Sequence, residues 1–187
     1  MKIIKTYFND ALLIEANLFK DYRGDFSEIF NLKSLNNLLH NKIKKIVQIN
    51  KSTSKKNVLR GIHVQTKKPQ GKYIFCNKGS IMDVFVDLRK NSKYFGKHKS
   101  INLKEKDNYY LWLPPGFAHG FITKSKVNEV YYLTTDYYSP RHDISIIWED
   151  KDLNIKWNCK YPILSHKDKN GMELIDFKNK YGGIICE

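Results

Sequence analysis

The chain has 187 residues, which is long enough for one or two domains and for a well-buried core. Hydrophobic residues make up 41% of it and aromatic residues 13%, which excludes a disordered tail and a fibrous repeat. The formal net charge of +14 would suit a polyanion, but only four of the 33 basic residues are arginines, the residue type that most often contacts phosphates and bases. We therefore expect no nucleic-acid function.

The apolar segments and the cysteines of the sequence indicate the cellular compartment of the protein. No apolar run approaches the roughly 20 residues of a membrane span, and the N-terminal MKIIKTYFND turns polar too soon for a signal peptide. Cys76, Cys159 and Cys186 are odd in number and far apart, which excludes a disulfide scaffold and a CxxC metal site. The sequence predicts a protein of the reducing cytoplasm without membrane contact.

In chain order, one helix is followed by a series of strands. Leucines at helical spacing predict a helix over 32–42. Alternating residues over 46–50 predict a strand, and KYIFCNKGSIMDVFVDLR (72–89) predicts a hairpin that turns at Gly79. Further strands are predicted over 108–115, 118–123 and 128–138, and a weak helical tendency over 171–180. Closely spaced short strands indicate an all-β sandwich or barrel, and the lack of a linker or repeat predicts one domain over 1–187.

Two polar side chains interrupt the strand-like run NVLRGIHVQ (57–65). On a regular strand Arg60 and His63 would face opposite sides. A bulge at Gly61 would bring them onto one side, where both could serve a site. A surface strand with one charge and a hydrogen-bonded histidine fits the same pattern.

The segment LPPGFAHGF (113–121) carries a second histidine. Pro-Pro-Gly predicts a tight turn, and His119 follows it on a strand. The pattern P-x-G-x-x-H resembles the second motif of cupin barrels, whose histidine points into the barrel mouth. The first cupin motif normally supplies H-x-H, whereas His63 is followed here by Val64 and Gln65, so no metal site is expected. A cupin barrel without a metal leaves its mouth free for acid–base chemistry.

Four tyrosines lie in the next predicted strand, at Tyr131, Tyr132, Tyr137 and Tyr138. On an extended strand Tyr131 and Tyr132 face opposite ways, so one is expected in the core and the other in the cavity. A phenol can stack on a base or donate a proton, whereas tyrosines in strands often only pack. The pattern leaves both alternatives open.

Six segments, in unbroken order over roughly residues 1–170, resemble the dTDP-4-dehydrorhamnose 3,5-epimerase family, metal-free cupins that act on nucleotide-linked 4-keto sugars. They are FKDYRGDFSEIF (19–30), VQINKSTSKKNVLRGIHVQ (47–65), QGKYIFCNKGSIMDVFVDLRKNSKYFG (70–96), LPPGFAHGF (113–121), YYLTTDYYSP (131–140) and IIWEDKDLNIKW (146–157). The resemblance implies a cupin-type jelly-roll β-barrel with a few short helices and an isomerase without a cofactor. It also implies a nucleotide-diphosphate sugar as substrate, which a basic surface would attract, and a homodimer.

The resemblance implies four catalytic residues. His63 matches the family's base, Asp168 the carboxylate that orients it, Tyr132 the general acid, and Lys72 the lysine near the keto oxygen. The implied reaction removes a proton beside the ketone, stabilises the enolate and returns a proton on the opposite face, at C3 and at C5.

Further positions match substrate contacts of the family. Tyr138 matches the tyrosine that stacks on the thymine. The nucleotide-binding positions, which in the family reach across from the partner subunit, match Arg23, Glu28, Gln48 and Asn50. Contacts around the diphosphate and the sugar match Arg60, His119 and Lys167, and a further substrate contact matches Asp143. The sequence departs from the family at Asp143, where glutamate is usual, at Leu133, where lysine is common, and over 64–71, which is slightly short.

Other functions fit parts of this pattern. One is an epimerase of another nucleotide 4-keto sugar, such as a GDP-4-keto-heptose, or one that inverts only C3. A second is a 3,4-ketoisomerase of dTDP sugars, against which the RGIH motif, Lys72 and the Tyr132/Tyr138 pair count. A third is a non-catalytic cupin that binds a sugar or a nucleic acid, against which His63 and Asp168 together count.

Overall fold

The computed structural model describes residues 1–40 and 42–186 of the chain. Strands dominate it; in chain order they are β1 (Lys2–Tyr7), β2 (Ala11–Glu15), β3 (Leu18–Asp21), β4 (Gly24–Ser27), β5 (Gln48–Lys55), β6 (Leu59–Gln65), β7 (Lys72–Lys78), β8 (Ser80–Asp87), β9 (His98–Lys104), β10 (Tyr109–Leu113), β11 (Phe117–Thr123), β12 (Val127–Thr134) and β13 (Asp143–Ser145). The helices are α1 (Leu32–Leu38), α2 (His166–Lys169) and α3 (Leu174–Tyr181). None of these helices is long and apolar enough to span a bilayer.

Two antiparallel sheets form the body of the molecule. Six strands follow the order β1-β2-β10-β7-β12-β5, and five follow the order β13-β6-β11-β8-β9. Apolar side chains of both sheets meet in one buried cluster, for example Ile74 and Val130 from the six-stranded sheet and Phe85 and Phe121 from the five-stranded sheet. This is the all-β cupin-type sandwich that the sequence predicts.

The outer face of each sheet is covered by a different part of the chain. Leu35 within α1 and Leu39 just beyond its end pack on the outer side chains of the six-stranded sheet. The C-terminal segment, with Trp157 and Phe177, packs on the outer side chains of the five-stranded sheet. Beyond this packing, that segment is joined to the sheet by isolated parallel bridges: Val58 with Ile163, Ile146 with Met172 and Arg89 with Ile184. Between the two sheets a cavity remains that residues of both sheets line.

Helix α1 is shorter than predicted. It begins at Leu32, where the side chain of Asn31 accepts a hydrogen bond from the Ser34 N–H at 3.1 Å. It ends at Leu38, and His40 has a φ of +52°, which a right-handed helix cannot contain. The prediction of a helix to residue 42 is therefore wrong at its end, and its position 41 lies outside the described residues.

The turn at Gly79 is confirmed, but the predicted hairpin is wrong. Strand β7 pairs with β10 and β12, whereas β8 pairs with β9 and β11. The chain therefore crosses from one sheet to the other at this turn. Gly79 has a φ of +79°, and a Cβ there would lie 2.4 Å from the Val127 carbonyl oxygen, so only glycine fits.

The last predicted strand also ends earlier than expected. Strand β12 stops at Thr134 instead of continuing to residue 138. Just beyond it, the Asp136 side chain accepts a hydrogen bond from the Tyr137 N–H at 2.8 Å, a local bond that turns the chain. Tyr137 and Tyr138 therefore lie after the strand, not within it.

Candidate active site

A cavity of about 450 Å³ opens between the two sheets. All four predicted catalytic residues line it, namely His63, Lys72, Tyr132 and Asp168. Seven predicted binding residues also line it: Gln48, Asn50, Arg60, His119, Tyr138, Asp143 and Lys167. His63 belongs to the five-stranded sheet, whereas Lys72 and Tyr132 belong to the six-stranded sheet, so groups on opposite walls face the same space.

An irregular pairing of β6 places Arg60 and His63 on one side of the strand. His63 lies opposite His119 in β11, and Arg60 lies opposite Phe121, so β6 uses one residue more than its partner between these pairs. This is the bulge that the sequence predicts near Gly61. A Cβ on Gly61 would lie 2.5 Å from the Gly120 Cα, so the two strands approach closely where the bulge forms.

His63 hydrogen-bonds a carboxylate that follows much later in the chain. Its Nε2 lies 2.6 Å from Asp168 Oδ1. Burial acts to raise the pKa of Asp168, but hydrogen bonds from His63, Ser165 and Ser145 outweigh it and hold this pKa below its ordinary value. An ionised carboxylate only accepts hydrogen bonds, so Nε2 of His63 carries a proton, and in the neutral ring Nδ1 keeps a lone pair. His63 can therefore accept a proton at Nδ1.

Lys72 supplies a cation in the buried part of the cavity. It is the first residue of β7, and only 9% of it is exposed. Burial lowers the pKa of its ammonium group to about 8, although the nearby carboxylates of Asp143 and Asp83 act to raise it and Lys167 acts to lower it further. Near neutral pH the group is charged, and in this dry setting it can stabilise a developing negative oxygen.

The two adjacent tyrosines of β12 face opposite ways, as the strand geometry predicts. Tyr131 stacks on Phe75 outside the sandwich, with ring centroids 5.5 Å apart and planes at 6°. Tyr132 lines the cavity. Burial raises the pKa of the Tyr132 phenol, so at neutral pH this group carries a proton that it can donate.

A second histidine–carboxylate pair lies beside the first. His119 Nε2 is 2.8 Å from Asp83 Oδ2, and Asp83 has no exposed surface. Burial raises the pKa of Asp83, and its other oxygen, Oδ1, has no hydrogen-bond partner among the described residues. Asp83 was not predicted as a site residue, although a carboxylate inside the apolar run SIMDVFVD (80–87) is a signal that could have found it.

Polar groups at the mouth of the cavity are linked to one another. Asp143 Oδ2 accepts a hydrogen bond from the Tyr138 phenol at 3.0 Å and pairs with the ammonium group of Lys167. The Tyr138 N–H donates to Gln48 Oε1 at 3.1 Å, and the Gln48 amide donates to Asn50 Oδ1 at 2.7 Å. The mouth of the cavity therefore presents an aromatic ring, two side-chain amides and a cation that are already linked by hydrogen bonds and an ion pair, a set of groups that could bind a nucleotide.

Two predicted binding residues do not line the cavity of this chain. Arg23 lies in the hairpin of β3 and β4, where it pairs with Asp21 at 2.5 Å, and Glu28 accepts a hydrogen bond from Asn31 at 3.0 Å. The hairpin forms a separate two-stranded sheet. Its aromatic side chains are largely exposed, with Phe19 at 59%, Tyr22 at 97% and Phe26 at 69%.

Several cavity residues were not predicted. They are Lys51, Ser52, Gln70, Phe121 and Ser165. Their types are common on any strand or loop, so the sequence alone carries no signal for them. Over residues 1–40 and 42–186, the His, Cys, Asp and Glu side chains form no group of three or more that could hold a metal ion.

Comparison with known proteins assigns the chain to a family. The sequence model of dTDP-4-dehydrorhamnose 3,5-epimerase matches residues 5–176. The enzyme of that name from Shigella flexneri is 43% identical over 177 residues, which cover 94% of this chain and 97% of the relative. The chain belongs to the dTDP-4-dehydrorhamnose 3,5-epimerase family.

Solved structures extend the similarity to the fold. The dTDP-6-deoxy-D-glucose-3,5-epimerase of Legionella pneumophila, in complex with dTDP-4-keto-L-rhamnose, matches with a TM-score of 0.93 and 35% identity over 100% of this chain and 98% of that one. A 3'-monoepimerase from Streptomyces bikiniensis, in complex with dTDP-quinovose, matches with a TM-score of 0.87 and 28% identity over 94% of this chain and 89% of that one. This epimerase family member thus shares its fold with enzymes that differ in the number of centres they invert.

Proposed function

We propose that the protein inverts C3 and C5 of a nucleotide-linked 4-keto-6-deoxy sugar and converts dTDP-4-dehydro-6-deoxy-D-glucose to dTDP-4-dehydro-L-rhamnose. The observation that carries the proposal is that a histidine held by a carboxylate and a protonated tyrosine line opposite walls of one cavity that also contains a buried lysine. Membership of the epimerase family supports the choice of substrate.

The first step is the loss of a proton from the carbon beside the ketone. His63 Nδ1 takes this proton, while Asp168 holds the ring by Nε2 and stabilises the imidazolium that forms. The electron pair of the broken C–H bond moves into the C–C bond, and the negative charge develops on the keto oxygen. Lys72 stabilises that oxygen with its ammonium group.

The second step returns a proton to the same carbon from the other side. Tyr132 donates its phenolic proton to the opposite face of the sugar, and this inverts the configuration. A single base would return the proton to the face from which it came. Inversion therefore needs two groups on opposite walls. The same pair acts at C3 and at C5 once the ring has been repositioned and exchange with solvent has removed the proton from His63 and returned one to Tyr132.

The remaining polar groups bind the nucleotide diphosphate. Tyr138 stacks on the thymine, and Gln48 and Asn50 bind the nucleoside. Three basic residues contact the diphosphate and the sugar, namely Arg60, His119 and Lys167, and the net charge of +14 favours the approach of such an anion. Asp143, one methylene shorter than the usual glutamate, holds Tyr138 and Lys167 together.

We also propose a homodimer. The β3–β4 hairpin exposes Phe19 and Phe26, and exposed apolar patches of this kind often mark protein contacts. Arg23 and Glu28 lie on and just after this hairpin, so a partner subunit would supply them to the nucleotide.

All three cysteines are unpaired, which supports a cytoplasmic location.

The test is proton exchange during turnover. The purified protein is incubated with dTDP-4-keto-6-deoxyglucose in D₂O, and deuterium uptake is followed by mass spectrometry and NMR. Uptake at C3 and C5 with inversion of both centres is the expected result. Uptake at C3 alone would make the protein a monoepimerase like its structural relative from Streptomyces bikiniensis.

No uptake would overturn the choice of substrate. A GDP-4-keto-heptose would then be tried under the same conditions. Salt-dependent binding of DNA or RNA without turnover of any keto sugar would instead support a non-catalytic cupin.

A further inference from the structure

Ser145 links the strand of the base to the segment of the carboxylate. It is the last residue of β13, directly opposite His63 in β6. Its carbonyl oxygen accepts a hydrogen bond from the Met172 N–H at 2.9 Å. Only 5% of Ser145 is exposed, so solvent does not compete strongly for its hydroxyl group.

The hydroxyl group of Ser145 contacts the carboxylate that holds His63. Ser145 Oγ lies 3.3 Å from Asp168 Oδ1, the same oxygen that accepts the hydrogen bond from His63 Nε2. Hydrogen bonds of a catalytic site are often long without a ligand and shorten in the complex. Two donors on one oxygen restrict rotation of the carboxylate about its Cβ–Cγ bond and keep that oxygen directed at the imidazole.

The short helix that carries Asp168 supplies contacts of its own, and Ser145 adds one from the sheet. Helix α2 has only four residues, from His166 to Lys169, and Ser165 caps it by accepting a hydrogen bond from the Asp168 N–H at 3.1 Å. This bond fixes the backbone of Asp168, and a hydrogen bond from Ser165 also favours the ionised form of its carboxylate. Only 3% of Asp168 is exposed, and Ser145 reaches its carboxylate from the side of the sheet.

We propose that Ser145 is a positioning residue that acts through Asp168 on His63, the third member of a hydrogen-bonded chain from β13 to α2 to β6. The proposal deepens the proposed epimerase reaction and rests on it for the effect on turnover. Ser145 touches neither the substrate nor the transferred proton. It keeps the carboxylate ionised and aligned, so that the lone pair of His63 Nδ1 stays directed into the cavity.

The experiment compares Ser145→Ala and Ser145→Thr with the wild-type chain and with Ser80→Ala. Ser80 hydrogen-bonds Ser125 outside the cavity and is the matched control for the loss of a serine hydroxyl. In Ser145→Ala, kcat is expected to fall about three- to tenfold, the effect of one hydrogen bond, while KM and the Kd for dTDP change less than about twofold. Ser145→Thr keeps a hydroxyl group and is expected to restore kcat.

A spectroscopic readout separates positioning from general destabilisation. The proton on His63 Nε2, held by Asp168, should give a low-field NMR resonance, assigned by its loss in His63→Gln. We expect Ser145→Ala to shift or broaden this resonance and Ser80→Ala to leave it unchanged. A wild-type kcat in Ser145→Ala, or a lower kcat with an unaltered resonance, would overturn the proposal.

This readout needs no turnover. If the wild-type protein fails to exchange protons of the dTDP sugar, the proposed function fails, while the resonance still tests Ser145. If Ser145→Thr does not fold, the comparison of Ser145→Ala with Ser80→Ala decides alone. An unaltered resonance in Ser145→Ala would then refute the positioning role whatever the substrate.

Discussion

His63 and His119 lie directly opposite each other in two paired strands, and each ring hydrogen-bonds a different buried carboxylate. The two carboxylates differ in their surroundings. Asp168 has a lowered pKa because hydrogen bonds outweigh burial, whereas burial raises the pKa of Asp83. Environments that push two such groups apart assign them different tasks. The difference supports the proposed roles of His63 as the base and of His119 as a substrate contact.

Removing the base should abolish turnover without unfolding the protein. We expect His63→Ala to lower kcat at least ~10²–10⁴-fold, the usual contribution of general acid–base catalysis. His98→Ala is the matched control, because His98 lies on β9 and does not line the cavity. The measurement is the rate of epimerisation at equal thermal stability. A His63→Ala enzyme that keeps most of its activity would show that another group is the base.

Removing the acid should separate exchange from inversion. In Tyr132→Phe the base still removes a proton, so deuterium from the solvent enters the substrate, but inversion is lost because nothing donates from the opposite face. Tyr131→Phe, one residue away and outside the cavity, should behave like the wild type. Mass spectrometry and NMR of the recovered sugar give both quantities. Loss of exchange together with inversion would mean that Tyr132 mainly positions the substrate.

Activity should fall at alkaline pH because Lys72 loses its charge. Its pKa is about 8, so the ammonium group is present below this value and disappears as the pH rises through it. The pKa of Tyr132 is raised from 10, so the phenol is not the group that titrates there. A profile of kcat/KM between pH 6 and 10 checks the prediction, since it reports the free enzyme.

Substitution of Lys72 tests directly whether this residue stabilises the developing negative oxygen. Lys72→Met should cost on the order of 10²–10³ in kcat, the usual effect of losing one group that stabilises an oxyanion. Lys99→Met, on exposed strand β9, is the control and should match the wild type. A flat profile up to pH 10 in the wild type would contradict the role given to Lys72.

The buried Asp83 should affect the pH at which activity falls on the alkaline side of the profile, here called the alkaline limb. Its negative charge acts to raise the pKa of Lys72, so its removal in Asp83→Asn should lower this pKa below about 8. Activity would then be lost at a lower pH than in the wild type. Asp87→Asn is no suitable control because Asp87 anchors Arg89, so the exposed Asp25→Asn serves instead. An unshifted limb would mean that Asp83 carries a proton at that pH.

The close approach of β6 and β11 should tolerate no side chain. Gly61→Ala would place a Cβ 2.5 Å from Gly120 Cα and 2.7 Å from the His119 carbonyl oxygen, at a φ of +118°. Gly24→Ala has a similar φ, +135°, with nothing within 4 Å, and should cost only the backbone strain of about 1–3 kcal/mol. We expect Gly61→Ala to cost roughly 1–3 kcal/mol more because of the clash. Denaturant unfolding measures both, and equal losses would contradict the steric argument.

Some parts of the fold could be predicted from local pattern and others could not. The bulge that brings Arg60 and His63 together follows from a glycine within an apolar run, and the opposed faces of Tyr131 and Tyr132 follow from strand geometry. The turn at Gly79 could be predicted too. Its two strands were wrongly paired, because both are almost fully buried and their sequences carry no alternation that assigns a partner.

Local sequence pattern also could not predict which distant residues pair in the candidate site. His63 and Asp168 are 105 residues apart, and no spacing rule connects a strand with a single helical turn across that distance. Their pairing followed only from resemblance to a family. Strands β1 to β4 and β9 carry too weak an alternation to be predicted. Asp83 and Ser145 belong to no motif, because they contact His119 and Asp168 and not the cavity itself.

The attachment of the C-terminal segment has a consequence for the whole catalytic cycle. Asp168 lies on a segment that joins the five-stranded sheet by isolated bridges, whereas His63 is held within that sheet. An opening that detached only this segment would leave both sheets intact and yet disable the base. By linkage, a ligand that touches Lys167 on the segment and Arg60 on the sheet stabilises the attached form. A substrate that binds both residues would therefore stabilise the arrangement in which Asp168 holds His63.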